Sequence, residues 1–184
     1  MSKIDMDIEK LKFPIGEYIP NKNPSDDLIK QWIEHIELFP SRVEDLIKDI
    51  SPERLSWKYR PNGWMVKQVI HHCTDSHMNS IIRFKLALTE ETPTIRPYNE
   101  SRWADLNDSL TDELTESITL LNGLHKKWSR LLKSLSKEQL DMMFIHPENG
   151  KKISLAENIG VYSWHCNHHL AHVKNGINSK GKYN

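Results

Sequence analysis

The stretch SLAENIGVYSWHCNHHLAHVKN, residues 154–175, decides how this chain is built. Ser154-Leu155-Ala156-Glu157 has the form of a capping box, in which serine and glutamate each satisfy a backbone N–H at the start of a helix. The helix that opens there is predicted to run to about Asn175. On it His168 and His172 stand four residues apart, so both imidazoles project from one face, one turn apart. Two imidazoles so placed can chelate one ion. At roughly 100° per residue, Glu157, Val161, His165, His172 and Asn175 fall within about 60° of His168, while His169 lies toward the edge of that face. His165 and His169 are therefore expected beside the ligands, as residues that orient them. The residue after His168 is another histidine and not the glutamate base of the zinc-protease pattern, so that protease chemistry gains no support.

A second cluster, His71-His72-Cys73-Thr74-Asp75-Ser76-His77, precedes it in the chain and can supply the third ligand. With His72 as reference, Gln68, Asp75, Ser76, Asn79 and Arg83 lie within about 60° and form a polar stripe. Val69, Ile70, Met78, Ile81, Ile82 and Phe84 flank it with apolar side chains. A polar stripe centred on a histidine is what a wet, buried site needs. His71 is the competing ligand, but its face carries Trp64, Lys67, Met78 and Ile82 and is less polar. His77 points well away from His72. Three neutral imidazoles, His72, His168 and His172, leave a coordination position open, as in catalytic zinc sites and unlike closed structural ones.

Working outward, three more long helices show in the periodicity. One runs from about Ser25, which can cap it, to Ile50, with Trp32, Ile36, Phe39, Val43, Leu46 and Ile50 on its core face. Pro40 falls inside that pattern and predicts a kink. Another runs from about Trp64 to Leu88, and the last from about Asp112 to Leu135. On the latter, His125 shares a stripe with Leu114, Ile118, Leu121, Trp128 and Leu132, and reads as a core histidine with one hydrogen-bond partner. His35 sits at the edge of the first helix's core face. Ser51-Pro52 and the capping box Ser136-Lys137-Glu138-Gln139 each open a short turn. Asn149-Gly150 is placed to turn a small hairpin before the last helix. The expectation is an all-α, four-helix bundle with short extra helical turns, forming a single domain over residues 1–184, with sites built from facing helices.

Composition narrows the function. Basic and acidic residues balance at 25 each, so non-specific nucleic-acid binding has no electrostatic support. No apolar run approaches the roughly 18 residues of a membrane span. The N-terminus, MSKIDMD, lacks the apolar core of a signal peptide, so a cytoplasmic protein is expected. The two cysteines, Cys73 and Cys166, sit one in each histidine cluster, but their offsets turn them from the neighbouring histidines' faces. They read as free core thiols.

These residues resemble a known family. Phe13-Pro14-Ile15-Gly16-Glu17-Tyr18, Gly63-Trp64, Gln68-Val69-Ile70-His71-His72, Asp75-Ser76-His77-Met78-Asn79, Ile82 through Pro93, and Ile95-Arg96-Pro97-Tyr98 match it. So do Trp103, Leu124-His125, Trp128, His146-Pro147, Trp164-His165 and His168-His169-Leu170-Ala171-His172. The chain is similar over nearly its whole length to the YfiT group of metal-dependent hydrolases within the DinB-like bundle superfamily. The resemblance implies a four-helix bundle and one divalent metal per chain, zinc or nickel, on His72, His168 and His172. It also implies a cytoplasmic homodimer. One departure is Met65, where the family pattern has a threonine able to cap the second long helix; the lost cap is worth about 1 kcal/mol.

Three functions fit these features. The first is a metal-dependent hydrolase with water at the open position. There Asp75 would orient an imidazole or accept a proton, Asn79 and Arg83 would hold a substrate anion, and Arg96, Tyr98 and Trp103 would line the mouth; a plain helix-face salt bridge is the alternative for Asp75. The second is a transferase that joins a low-molecular-weight thiol, of the bacillithiol or glutathione type, to an electrophile, as in related bundle proteins. The third is a non-enzymatic metal-binding stress protein. Small-molecule substrates are expected, and neither nucleic acid nor membrane.

Overall fold

The computed structural model describes residues 3–148 and 150–184. Its elements run α1 (Lys3–Lys12), α2 (Asp26–Ile47), α3 (Pro52–Leu55), α4 (Val66–Thr89), α5 (Glu100–Ala104), α6 (Asn107–Leu110), α7 (Thr115–Lys133), α8 (Lys137–Leu140), β1 (Met143–His146), β2 (Lys151–Ser154) and α9 (Leu155–Asn178). Local sequence sets the boundaries. Ser25 Oγ accepts the Leu28 N–H at 3.3 Å and starts α2. Ser154 Oγ accepts the Glu157 N–H at 3.1 Å and starts α9. Ser136 and Gln139 close a full reciprocal box on α8. At the head of α4 the Met65 side chain offers no cap, but Gln68 Oε1 accepts the Met65 N–H at 3.0 Å.

Helices α2 and α4 each pack against both α7 and α9, which makes the four-helix bundle. Its core is a continuous apolar cluster in which Ile36, Phe39, Ile70, Phe84, Leu121, Trp128, Leu155 and Ile159 are fully buried. Close approach of α2 and α9 depends on Gly160: a Cβ there would stand 2.9 Å from the Trp32 ring. Pro40 is buried inside α2, and the helix continues through it.

Two features were not legible in the periodicity. The N-terminal segment forms α1. The segment carrying Trp103, expected as loop, contains α5 and α6, which pack on α4. The two strands pair antiparallel with Phe144 opposite Ile153, giving the small hairpin before α9. Gly150 takes a left-handed φ of +63° in its turn, and Asn149 lies outside the described residues. The 93–95 segment runs beside β1, the Ile145 N–H donating to Pro93 O at 2.8 Å and the Ile95 N–H to Ile145 O at 3.0 Å. That pairing carries Pro97 and Tyr98 over one end of the bundle. Among the described residues, no helix is long and apolar enough to cross a membrane.

Candidate metal centre

Five imidazoles meet where α4 faces α9: His72 from α4, and His165, His168, His169 and His172 from α9. They line a cavity of about 400 Å³ and the opening beside it. Ring centroids are 4.2 Å apart for His168 and His172, 4.3 Å for His165 and His169, and 4.9 Å for His72 and His169. An aromatic ring braces each expected ligand. Trp64 lies 4.7 Å from His72, Trp164 stacks on His168 at 4.2 Å, and Tyr59 stacks on His172 at 3.9 Å.

Crowding and burial keep these rings neutral. Burial, then the adjacent His172, pulls the His72 pKa down to about 4. Burial, then His172 and His72, pulls His168 to about 3. Burial lowers His172 to about 4, against the raising effect of the Lys12 carbonyl. His165 and His169 are held well below the ordinary imidazole range, by burial first and by their neighbours second. A neutral imidazole offers one lone pair, which is what a borderline divalent ion binds. His172 Nε2–H donates to Lys12 O at 3.0 Å, so its lone pair is on Nδ1, 3.3 Å from His169 Nδ1. His168 Nδ1 is buried with no hydrogen-bond partner among the described residues. An orphaned buried nitrogen beside four further neutral imidazoles fits a divalent cation well.

A triplet of donor atoms other than the expected one converges at the site. His72, His165 and His169 bring one donor each to within 4.8 Å of one another. Of the three expected ligands only His72 belongs to it; His168 and His172 stand beside it, packed on Trp164 and Tyr59. The physical reason is the helix pairing: α4 meets α9 nearest the ridge that His165 and His169 share, one turn apart. Cys73, His77 and His165 also bring donors within 4.8 Å. There burial pushes the Cys73 thiol up and keeps it protonated, and hydrogen bonds to other histidines occupy both His77 nitrogens.

Arg83 lines the histidine cavity with its Nε buried and unpartnered among the described residues. Tyr98 forms part of the wall and packs on Trp103 at 4.5 Å. Trp103 is 37% exposed and stands behind Tyr98, and Arg96 is exposed. Asn79 spends its amide on its own helix, donating to Asp75 O at 2.9 Å. Asp75 is not part of the wall of the histidine cavity. It lines a separate cavity with His71, Asp108, Glu113 and Glu116. Three residues beyond His72 on a helix is about 60° around, enough to carry a short carboxylate past the ridge toward α6 and α7. Burial, then Asp108, raises its pKa to about 6.

Spacing on one helix could not find other parts of the wall: Trp64, Glu100, His146, Glu148 and Tyr162. Ser76 stands on the polar stripe of α4 and was legible there as polar. Tyr162 is one turn before His165 but reads as core. Glu100, His146 and Glu148 come from α5 and the hairpin, which only the chain path brings to the cavity.

The DinB superfamily model matches residues 35–173. YfiT of Bacillus subtilis, provisionally named a metal-dependent hydrolase, is 44% identical over 89% of this chain and 92% of its own length. A Bacillus cereus relative (strain 03BB102) with the same provisional designation is 47% identical over 89% of this chain and 93% of its own. A solved structure of B. subtilis YfiT aligns with a TM-score of 0.89 at 41% identity, over 95% of this chain and 99% of that one. It is described as a probable metal-dependent hydrolase with an unusual four-helix bundle topology. The chain belongs to the DinB superfamily and, within it, to the YfiT family.

Proposed function

We propose that this protein is a metal-dependent hydrolase acting on a small molecule, with one divalent ion, zinc or nickel, on His72, His168 and His172. The observation that carries the reading is the group of five neutral imidazoles around an accessible cavity, with His168 Nδ1 buried and unpartnered among the described residues. The relatives' designations point the same way. Such a metal, when bound, acts as a Lewis acid and brings a water toward deprotonation near neutral pH. The chain's own residues do the remaining work. Trp64, Trp164 and Tyr59 hold the three ligand rings in orientation. Arg83 offers a fixed cation to a substrate anion, and Tyr98, carried over the bundle end by the 93–95 pairing, shields the cavity from water.

A second ligand set, His72, His165 and His169, is favoured by donor proximity. Metal content of the purified chain, measured by plasma mass spectrometry beside five single alanine variants, separates the two. Near one equivalent in the parent, lost in His72→Ala, His168→Ala and His172→Ala but kept in His165→Ala and His169→Ala, supports the first set. The opposite pattern at α9 supports the second. A parent that cannot be loaded overturns the hydrolase reading. With loaded protein, ester turnover against consumption of glutathione or bacillithiol with an electrophile decides between hydrolase and thiol transferase.

A further inference from the structure

A line of hydrogen bonds runs through the core from α2 to the metal cavity. It begins at Pro40. In a helix the N–H of residue 40 would bond to the carbonyl of residue 36, and proline has no N–H. The Ile36 carbonyl is thus left free inside the bundle, and His125 Nδ1 takes it at 2.6 Å. His125 Nε2 is 2.8 Å from His77 Nδ1, and His77 Nε2 is 3.0 Å from His165 Nδ1. His77 and His125 are fully buried. Phe39 stacks on His125 at 5.5 Å and meets His77 edge-on at 5.1 Å, and Trp128 packs against both.

Direction follows from the carbonyl, which can only accept. His125 must donate from Nδ1, and as a neutral ring it then accepts at Nε2. His77 must therefore donate from Nδ1 and accept at Nε2, and His165 must donate from Nδ1. His77 and His125 are fully buried against Phe39 and Trp128, and His165 packs against the His77 and His169 rings, surroundings in which an imidazole is neutral and donates from one nitrogen only. His165 Nε2 is left as an acceptor at the cavity wall. Its hydrogen-bonding neighbours among the described residues are distant, His72 Nε2 at 3.4 Å and Ser76 Oγ at 3.5 Å. Ser76 has a nearer partner in Tyr162, whose hydroxyl stands at 3.3 Å.

We propose that His77 and His125 are positioning residues of the active site: with the carbonyl freed by Pro40, they fix His165 as the Nδ1–H tautomer and present its Nε2 lone pair to the cavity beside His72. There it accepts the hydrogen bond of a protonated oxygen or sulfur on the bound ligand. The inference rests on the proposed function only for identifying this cavity as the active site, because the tautomer is a property of the metal-free chain.

The test is two-bond ¹H–¹⁵N correlation of the histidine rings in the full chain, chelator-treated, at pH 7.5, assigned with single variants. His125, His77 and His165 are expected as Nδ1–H tautomers, the minority form of free histidine. In His125→Phe the acceptor for His77 is gone, and His165 should convert to the Nε2–H form, a change transmitted through two rings. His125→Gln can donate to Ile36 O and accept from His77, so it should restore the Nδ1–H form. Finding His165 as Nε2–H in the parent overturns the proposal, whether or not His125→Phe folds. So does a His165 that stays Nδ1–H in a folded His125→Phe. Metal content is measured separately, so loss of the metal reading and loss of this one are distinguishable.

Discussion

His71 and His72 are neighbours on one helix and have opposite fates. His71 turns toward α6 and α7, where its Nε2–H donates to Thr111 O at 3.3 Å and Ser117 Oγ stands 2.8 Å from Nδ1. Both its nitrogens are used, and the cavity it lines is acidic, with Asp75, Asp108, Glu113 and Glu116. His72 turns toward α9, where its nearest nitrogen neighbour is His165 at 3.4 Å and the cavity wall is imidazole. Burial depresses the pKa of both. What separates a candidate ligand from a structural histidine is therefore whether the fold has already used its lone pair.

The sharpest way to break that contrast is to exchange metal phenotypes. His72→Ala should abolish metal retention, while His71→Ala should keep near one equivalent by plasma mass spectrometry. Equal loss in both would mean that the acidic side also binds, and the contrast would collapse.

The next effect is on acid stability. The native pKa of His125 is about 4 against an ordinary 6.5, so between those values the unfolded chain holds a proton that the folded chain refuses. Stability is fully present above about pH 6.5 and is lost as pH falls through about 4, by roughly 3 kcal/mol for this one ring. Urea unfolding at pH 7.5, 6, 5 and 4.5 should show that slope added to those of the other buried imidazoles, and His125→Gln should make it shallower. An unchanged slope would move the acid sensitivity to other groups.

Met65→Thr restores a side-chain cap to the helix that carries both faces. It should add about 1 kcal/mol to the unfolding free energy without altering metal content. A changed metal content would show that the head of α4 tunes the site.

The smallest effect is expected on the acidic side and has the opposite sign. The Asp75 pKa is raised to about 6, so its contribution is present at low pH and is lost as pH rises through about 6. Asp75→Asn should raise the melting midpoint at pH 7.5 and do less at pH 5. Because the carboxyl is half-exposed, solvent screens it and the gain is small.

Much of this was readable beforehand, for reasons that differ by residue. The capping box at Ser136 and the side-chain caps at Ser154 and Ser25 are local, and each starts its helix where expected. The core stripe of α7 was periodic and is buried at Leu121, His125, Trp128 and Leu132. Asp75 lines a different cavity from His72 because an offset of about 60° on α4 is enough to separate two cavities. His77 points away from His72, as its offset demands, yet reaches the site through His165, an indirect route that no single-helix projection contains. His125 was expected with one hydrogen-bond partner and has two, because Pro40 frees a carbonyl on a helix distant in sequence.

The sequence by itself determined the four long helices, the polar stripe around His72 and the i, i+4 spacing of His168 and His172. Those depend on backbone periodicity and caps, which act within a few residues. Only the tertiary structure decided which imidazoles face one another, which carbonyls occupy them and which way the protons point along the core. A hydrogen bond needs two groups within about 3 Å, and residues 36, 77, 125 and 165 come that close only when four helices pack.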